Sequence, residues 1–449
     1  MTSRHLIGLL AVALVLTACG GHGGSRTISS QRFTATACGT FTGRGCAPVR
    51  ERVDLRRPSF SHSTEITNPL FPISRLRSAL FLGHVDGKPF RTETTLLPGT
   101  SVIDWDGRRV AVRVSQYMAY EDGRLDEVAL DRYAQADDGS VWYLGEDVFD
   151  YRNGTVAMTE GTWLAGREGP PAMIMPGHPK VGDVFRTENA APVVFEEVRI
   201  ATAGKTVAGP VGPVKDAIVA RELHSDGTHE DKVFAPGYGE FRTAGGGDLE
   251  AMALAIPVNA VAGPVPAALR DLSTSAVGVL EQARLDDWEA VSATLDRIER
   301  AWAAVRARRQ PVMVAARLDR LLPELARAVR ARKLDRIGRS AIDVAQSALD
   351  LELRHRPRVE VDAERFRLWT QRLRVDAHAH DLHGVTGDVA VLEWIRDRFA
   401  YALDPAARQK LDAGVRELRF AADARNLPAA ADRAARLSVQ LHGFAVPSG

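Results

Sequence analysis

DRYAQADDGSVWYLGEDVFDYRNGTVAMTEGTW, residues 131–163, is the stretch whose reading decides the fold. Apolar and aromatic residues alternate along it, as at Val141, Tyr143 and Val148. Asp138-Gly139 and Asn153-Gly154 interrupt it where two-residue hairpin turns belong. The reading is a β-meander. Asp86-Gly87, Asp106-Gly107, Asp122-Gly123 and Asp226-Gly227 repeat the signal, and from residue 106 to 153 the turns recur every fifteen or sixteen residues, as strand-turn-strand units would.

Working outward, strands are predicted at about 79–85, 90–97, 100–105, 108–120, 125–136, 140–150, 155–164, 193–202, 214–224 and 229–235. Val110, Val112 and Val114 alternate with Ala111, Arg113 and Ser115, which predicts one buried and one wet face. Ile66-Thr67-Asn68-Pro69-Leu70-Phe71-Pro72 opens this domain as an extended segment, because each proline disfavours helix at the residue before it. Between Gly166 and Gly182 four prolines predict a long ordered loop around Met173-Ile174-Met175.

Near residue 260 the period changes from 2 to 3.6. Trp288, Val291, Leu295, Ile298, Trp302 and Val305 lay one stripe along a helix. Leu318, Leu322, Leu325 and Val329 repeat it, as do Ile337, Ala341, Val344, Ala348 and Leu351. Further helices are predicted at about 362–382, 387–403, 405–423 (Asp404 as N-cap, Pro405 in the first turn) and 427–443. Seven or eight short-linked helices imply an antiparallel bundle or an array of helical pairs. The expected fold class is therefore α+β, with an antiparallel β domain over 61–256, a linker at 257–264 and an α-helical bundle over 265–449. A chain of 449 residues is long enough for two such domains, each with its own core.

At the other end, Arg4 and His5 precede an apolar run from Leu6 to Leu16, and Leu16-Thr17-Ala18-Cys19 follows directly. This resembles the bacterial lipoprotein signal, which implies removal of residues 1–18, acylation of Cys19 and a cell-envelope protein held in the membrane by lipid, facing the exterior or the periplasm. An eleven-residue run is too short for a spanning helix of about 20 residues. Residues 19–60, rich in Gly, Ser, Thr and Arg, are expected to form a flexible tether. Cys38 and Cys46 remain after lipidation, and in an oxidising envelope they are expected to close a disulfide loop.

Lysine and arginine number 58 against 57 acidic residues, and losing Arg4 with the signal makes the balance even. A nucleic-acid partner is not expected from such a chain. The phrases ITNPLFP (66–72), DRYAQADDGSVWYLGE (131–146), GTWLAG (161–166), MIMPGHPKVGDVF (173–185) and KVFAPGYGEF (232–241) resemble an uncharacterised family of exported bacterial proteins. The resemblance covers roughly 66–245, supports export and the domain boundary, and implies no catalytic residue. Where that family tends to carry paired tyrosines before Ala-Pro-Gly, this chain has Val233 and Phe234. A weaker resemblance links the helical half to helical regions of other bacterial envelope proteins.

Nucleophile elbows, zinc helices, P-loops and dinucleotide fingerprints are missing from the sequence, so no catalytic residue is assigned and no cofactor is expected beyond a divalent metal. Two constellations have the composition of a metal site. On the helix begun by Phe366, the stripe through Trp369 and Leu373 continues to Asp376, His380 and His383, three ligand types within about 60° of arc. Across a two-residue turn at Asp226-Gly227, His224 would face His229 and Glu222 would face Asp231. A wet helix end and a solvated hairpin tip are the bland alternatives. For a hydrolase, Glu146, Asp147 and Glu160 are the acid-base candidates. The functional expectation is a non-enzymatic envelope module that binds a partner protein, a lipid or a small apolar ligand, with metal binding by the helical domain as the alternative.

Overall fold

A computed structural model describes residues 37–442. Its strands are β1 (Ser78–Val85), β2 (Lys88–Leu96), β3 (Ser101–Trp105), β4 (Arg108–Glu121), β5 (Arg124–Gln135), β6 (Val141–Arg152), β7 (Thr155–Met158), β8 (Trp163–Leu164), β9 (Ala172–Met175), β10 (Val184–Ala190), β11 (Val194–Gly209), β12 (Gly212–His224), β13 (His229–Ala235), β14 (Gly239–Gly245) and β15 (Asp248–Ile256). The helices are α1 (Ala267–Arg284), α2 (Trp288–Arg306), α3 (Val312–Arg330), α4 (Leu334–Glu352), α5 (Arg358–His378), α6 (Leu382–Phe399), α7 (Pro405–Asp423) and α8 (Leu427–His442). The chain is thus α+β, a large antiparallel sheet followed by a helical bundle, with the change of period at the expected place. Among the described residues no helix is long and apolar enough to cross a membrane. The expected lipidation of Cys19 and removal of residues 1–18 fall outside the described residues.

Strand order is β10-β11-β12-β13-β14-β15-β1-β2-β4-β5-β6-β7. The 172–175 segment, expected as loop, is strand β9, which pairs with β6 and lies against β10. That contact brings the two flanks of the sheet together around an interior. The segment carrying Ile66 to Leu76 plugs it, with Asn68 Nδ2 donating to the carbonyls of Gly139 and Pro176 at 3.0 Å each.

Four of the six turn pairs behave as two-residue hairpins require. Asp86-Gly87, Asp106-Gly107, Asp122-Gly123 and Asn153-Gly154 hold both residues at positive φ. At Asp138-Gly139 and Asp226-Gly227 only the glycine is at positive φ. These loops have three residues instead: Ala136 N donates to Ser140 O at 2.8 Å, and His224 N to Thr228 O at 3.0 Å. Each aspartate also accepts from the amide two residues on, which favours the longer turn.

The helices lie on the outer face of the sheet. Leu80, Leu82, Ala253 and Leu254 join one core with α1–α4, whereas Met118, Tyr120, Leu125 and Val128 join another with α5–α8. The sheet interior keeps a core of its own, as expected, but the bundle shares its cores with the sheet, and the expectation of one wet sheet face is corrected where helices cover it. Apolar residues on both faces of β1, β4, β5 and β15 leave an outer surface that only the helices cover.

A buried ionic network crosses this junction. Arg91 on β2 makes paired hydrogen bonds to Asp350 on α4 at 2.7 and 2.8 Å and binds Glu93 at 2.6 Å. Arg365 on α5 binds Asp350 at 2.8 Å and Asp362 at 3.2 Å. Arg398 on α6 binds Glu93 and Gln116 at 2.5 Å each. Every one of these side chains is buried.

The tether expected over 19–60 is also corrected, for its final part. Cys38 and Cys46 are disulfide-bonded. Phe41 N donates to Ser225 O at 2.7 Å, Ala47 N to Glu197 Oε1 at 2.6 Å and Val53 N to Val184 O at 2.8 Å. Polar backbone that composition alone assigns to solvent here has sheet carbonyls and a carboxylate as partners.

Candidate ligand-binding site

Alternation along strands sends every second side chain inward, and in this sheet many of those are acids. Asp131 and Glu127 come from β5, Glu146 from β6, Glu188 from β10, Glu196 from β11, Glu240 from β14 and Glu250 from β15. They line a cavity of about 220 Å³ together with Lys232 of β13 and an apolar wall that includes Phe71, Ile73, Phe81, Tyr117, Tyr133 and Tyr238. Seven carboxylates face one ammonium there.

Next to Lys232, the β11, β12 and β13 strands bring Glu196, Glu222, His224 and Glu230 together. Lys232 Nζ lies 2.7 Å from Glu222 Oε2 and 3.8 Å from Glu230 Oε1. His224 Nδ1 is 3.5 Å from Glu196 Oε1, and its Nε2 is 3.8 Å from Glu230 Oε1. Thr187 Oγ1 lies 3.1 Å from Glu196 Oε2 and 3.3 Å from Glu222 Oε1. Despite burial, the surrounding carboxylates push the His224 imidazole up to about 9. Lys232 and His224 in turn hold Glu196 down to about 2, against burial. This corner is an ion-pair network with its cations built in.

Elsewhere the carboxyls lack such partners. Burial first, and the neighbouring Asp131 carboxylate second, push Glu146 up to about 8. Burial and then Glu240 push Glu250 to about 8, although Thr92 donates a hydrogen bond to it. Glu127 and Glu188 rise well above the usual range, by burial and then by Asp150 and Glu196 respectively. Asp131, which accepts from Tyr143 Oη at 2.8 Å, is raised to about 6 by burial. Glu146 and Glu250 therefore hold their protons at neutral pH because burial disfavours their charged forms and cations are too few to offset it.

Of the hairpin set expected from sequence, Glu222 and His224 lie inside, but His229 and Asp231 are exposed. The three-residue loop explains it. Leu223 opposes His229 and Glu222 opposes Glu230, a shift of one residue that turns His229 and Asp231 to the other face. Among the described residues the one group of three metal-ligand types within 4.8 Å is Glu196, Glu222 and His224. A metal there would have to displace both the imidazole proton and the Lys232 ammonium.

Asp376, His380 and His383 do not converge. Helix α5 ends at His378, His380 takes φ 57°, and Asp381 starts α6 as N-cap to Gly384 N at 2.8 Å. The stripe does not continue through that break. Asp376 is buried against Arg124, which also binds Asp381 at 2.6 Å, while His380 and His383 are exposed. Of the acid-base candidates, Glu146 lines the cavity, Asp147 pairs with Arg132 and Glu160 is exposed.

Sequence reasoning missed Glu127, Asp131, Glu188, Glu196, Glu240 and Glu250. The available signal was inward alternation: Glu127, Ala129, Asp131 and Tyr133 share one face of β5. No family model matches the chain, and no curated protein matches it either.

Proposed function

We propose that this chain is a lipid-anchored envelope protein whose sheet interior binds a small organic cation, a mono- or diammonium compound with an apolar stem. The observation that carries the reading is the 220 Å³ cavity in which seven carboxylates face a single lysine. Lys232 against Glu222 is an instance of the chemistry, an ammonium held between buried acids. A ligand ammonium would replace the protons on Glu146 and Glu250. The tyrosine faces and Phe81 would take the stem, with cation–π attraction adding to ion pairing. An acid-lined wall is a poor seat for the small apolar ligand expected from sequence, since a purely apolar occupant would strand the carboxyls without partners.

Calorimetric titration of the full chain in detergent at pH 8 with putrescine is expected to give one saturable site. Sodium succinate, of similar length and opposite charge, is expected to give none. No heat with putrescine, or equal heat with succinate, counts against the reading. The anchor has its own check, resting on Leu-Thr-Ala-Cys: Cys19→Ala is expected to shift the protein out of the membrane fraction, and unchanged fractionation would refute lipidation.

A further inference from the structure

On the opposite face of the sheet, a cleft of about 460 Å³ runs between the Asp122-Gly123 turn and helices α3, α4 and α5. Arginines outnumber acids there, six to four, the acids being Glu93, Asp122, Glu324 and Asp343. Six arginines line it: Arg91, Arg124, Arg317, Arg320, Arg339 and Arg372. Arg91 and Arg124 are spent on the acids already described. Arg339 pairs with Asp335 at 3.4 Å, whereas Arg317 and Arg372 are poorly matched. Arg372, its side chain 8 % exposed, has Nε without a hydrogen-bond partner, with Asp376 at 3.7 Å and Asp388 as its neighbouring acids. Arg317, 15 % exposed, likewise has an unsatisfied Nε, with Asp343 at 3.5 Å and the more distant Asp350, already bound by Arg91 and Arg365, as its acids. Burial, with Arg91 and Arg320 adding repulsion, lowers the Arg317 pKa although Asp343 opposes it. Trp369, stacked on Tyr120 with ring centroids 5.7 Å apart, forms an apolar wall beneath the Arg372 guanidinium.

We infer that this cleft is a second binding site, for a phosphoryl group, with Arg317, Arg320 and Arg372 supplying forked donors to its oxygens. Guanidinium suits the role because its planar fork pairs bidentately with phosphate and remains charged when partly buried. The inference is independent of the cation site, which lies on the other side of the sheet and uses none of these residues. The phosphoryl group belongs either to a soluble phosphomonoester or to a lipid headgroup, and both present anionic non-bridging oxygens to a guanidinium fork.

The test is the binding of inorganic phosphate, glycerol 3-phosphate and soluble dihexanoyl phosphatidylglycerol to the full chain in detergent. Tryptophan fluorescence, to which Trp369 contributes as one of seven, and melting temperature are read against chloride at equal ionic strength. At least one probe is expected to saturate, and Arg317→Gln/Arg320→Gln to weaken it by about tenfold or more. The double variant is expected to melt no lower than wild type without ligand, because it removes under-compensated charge. Arg372→Lys, which keeps the charge and loses the fork, is expected to weaken binding while leaving the fold intact. Saturation by the two small phosphates assigns a soluble source, and saturation by the lipid alone assigns a headgroup. Failure of all three probes, or unchanged affinity in the double variant, overturns the site.

Discussion

Replacing Arg365 with methionine is expected to destabilise the folded chain by about 3–5 kcal/mol, the range for removing one partner from a buried ionic cluster. Arg365 touches Asp350 and Asp362 and lies 3.6 Å from Glu93, so its loss leaves three buried carboxylates under-compensated. The cluster ties β2 to α4, α5 and α6, so sheet and bundle are expected to unfold together in wild type. In Arg365→Met the expected change is a lower urea midpoint, read by tryptophan fluorescence. An unchanged midpoint would mean that apolar contact alone holds the junction. The network also has a pH signature. Burial alone would raise Glu93, but Arg365, Arg91 and Arg398 pull it well below the carboxylate range, and Arg91 and Arg365 lower Asp350 against its own burial. Stability from a depressed carboxylate is present above its unfolded value and is lost as pH falls through its folded value, so this contribution disappears only in strong acid.

The interior acids have the opposite sign, and they carry the second large effect. Glu146 and Glu250 are raised to about 8, so their contribution is fully present below the unfolded value of about 4.5 and is lost as pH rises through 8. Wild type is expected to lose stability between about pH 5 and pH 8, because the folded interior must keep protons that the unfolded chain gives up. Glu146→Gln/Glu250→Gln removes that cost: the double variant is expected to melt above wild type at pH 9 and near it at pH 5. The same substitutions are expected to weaken putrescine binding by about a hundredfold, from two charge-assisted hydrogen bonds at about 1.5 kcal/mol each. A gain in alkaline stability with a loss of binding separates a ligand site from a structural one. A variant that loses stability at pH 9 as well as at pH 5 would show that these acids only support the fold.

The turn dipeptides and the change of period made the α+β order legible, and Asp404-Pro405 marked the start of α7 as read. What stayed hidden has physical causes. Strands β10, β14 and β15 went unread, and each carries an inward acid: Glu188, Glu240 and Glu250. In the short β10 and β14 a polar inward face weakens the hydrophobic alternation by which strands are recognised, whereas β15, apolar on both faces from Ala251 to Ile256, shows no alternation to read. At Asp226 the following threonine caps the carboxylate and lengthens the loop by one residue, enough to turn His229 and Asp231 outward. At the α5–α6 break no glycine announces the left-handed residue; His380 fills it, and only Asp381, three residues before Gly384, hints at a new N-cap. The six arginines of the cleft come from separated elements, and no local pattern joins them.

Proton release on cation binding tests the central claim most directly. Putrescine is titrated into the full chain at pH 7 in two buffers of different ionisation enthalpy, and the difference in heat counts the protons leaving the protein. If ammonium groups replace the protons of Glu146 and Glu250, about one or more protons must leave per ligand bound. Heats that are identical in the two buffers, or no saturable binding at all, would contradict a carboxyl-lined interior built to hold a cation.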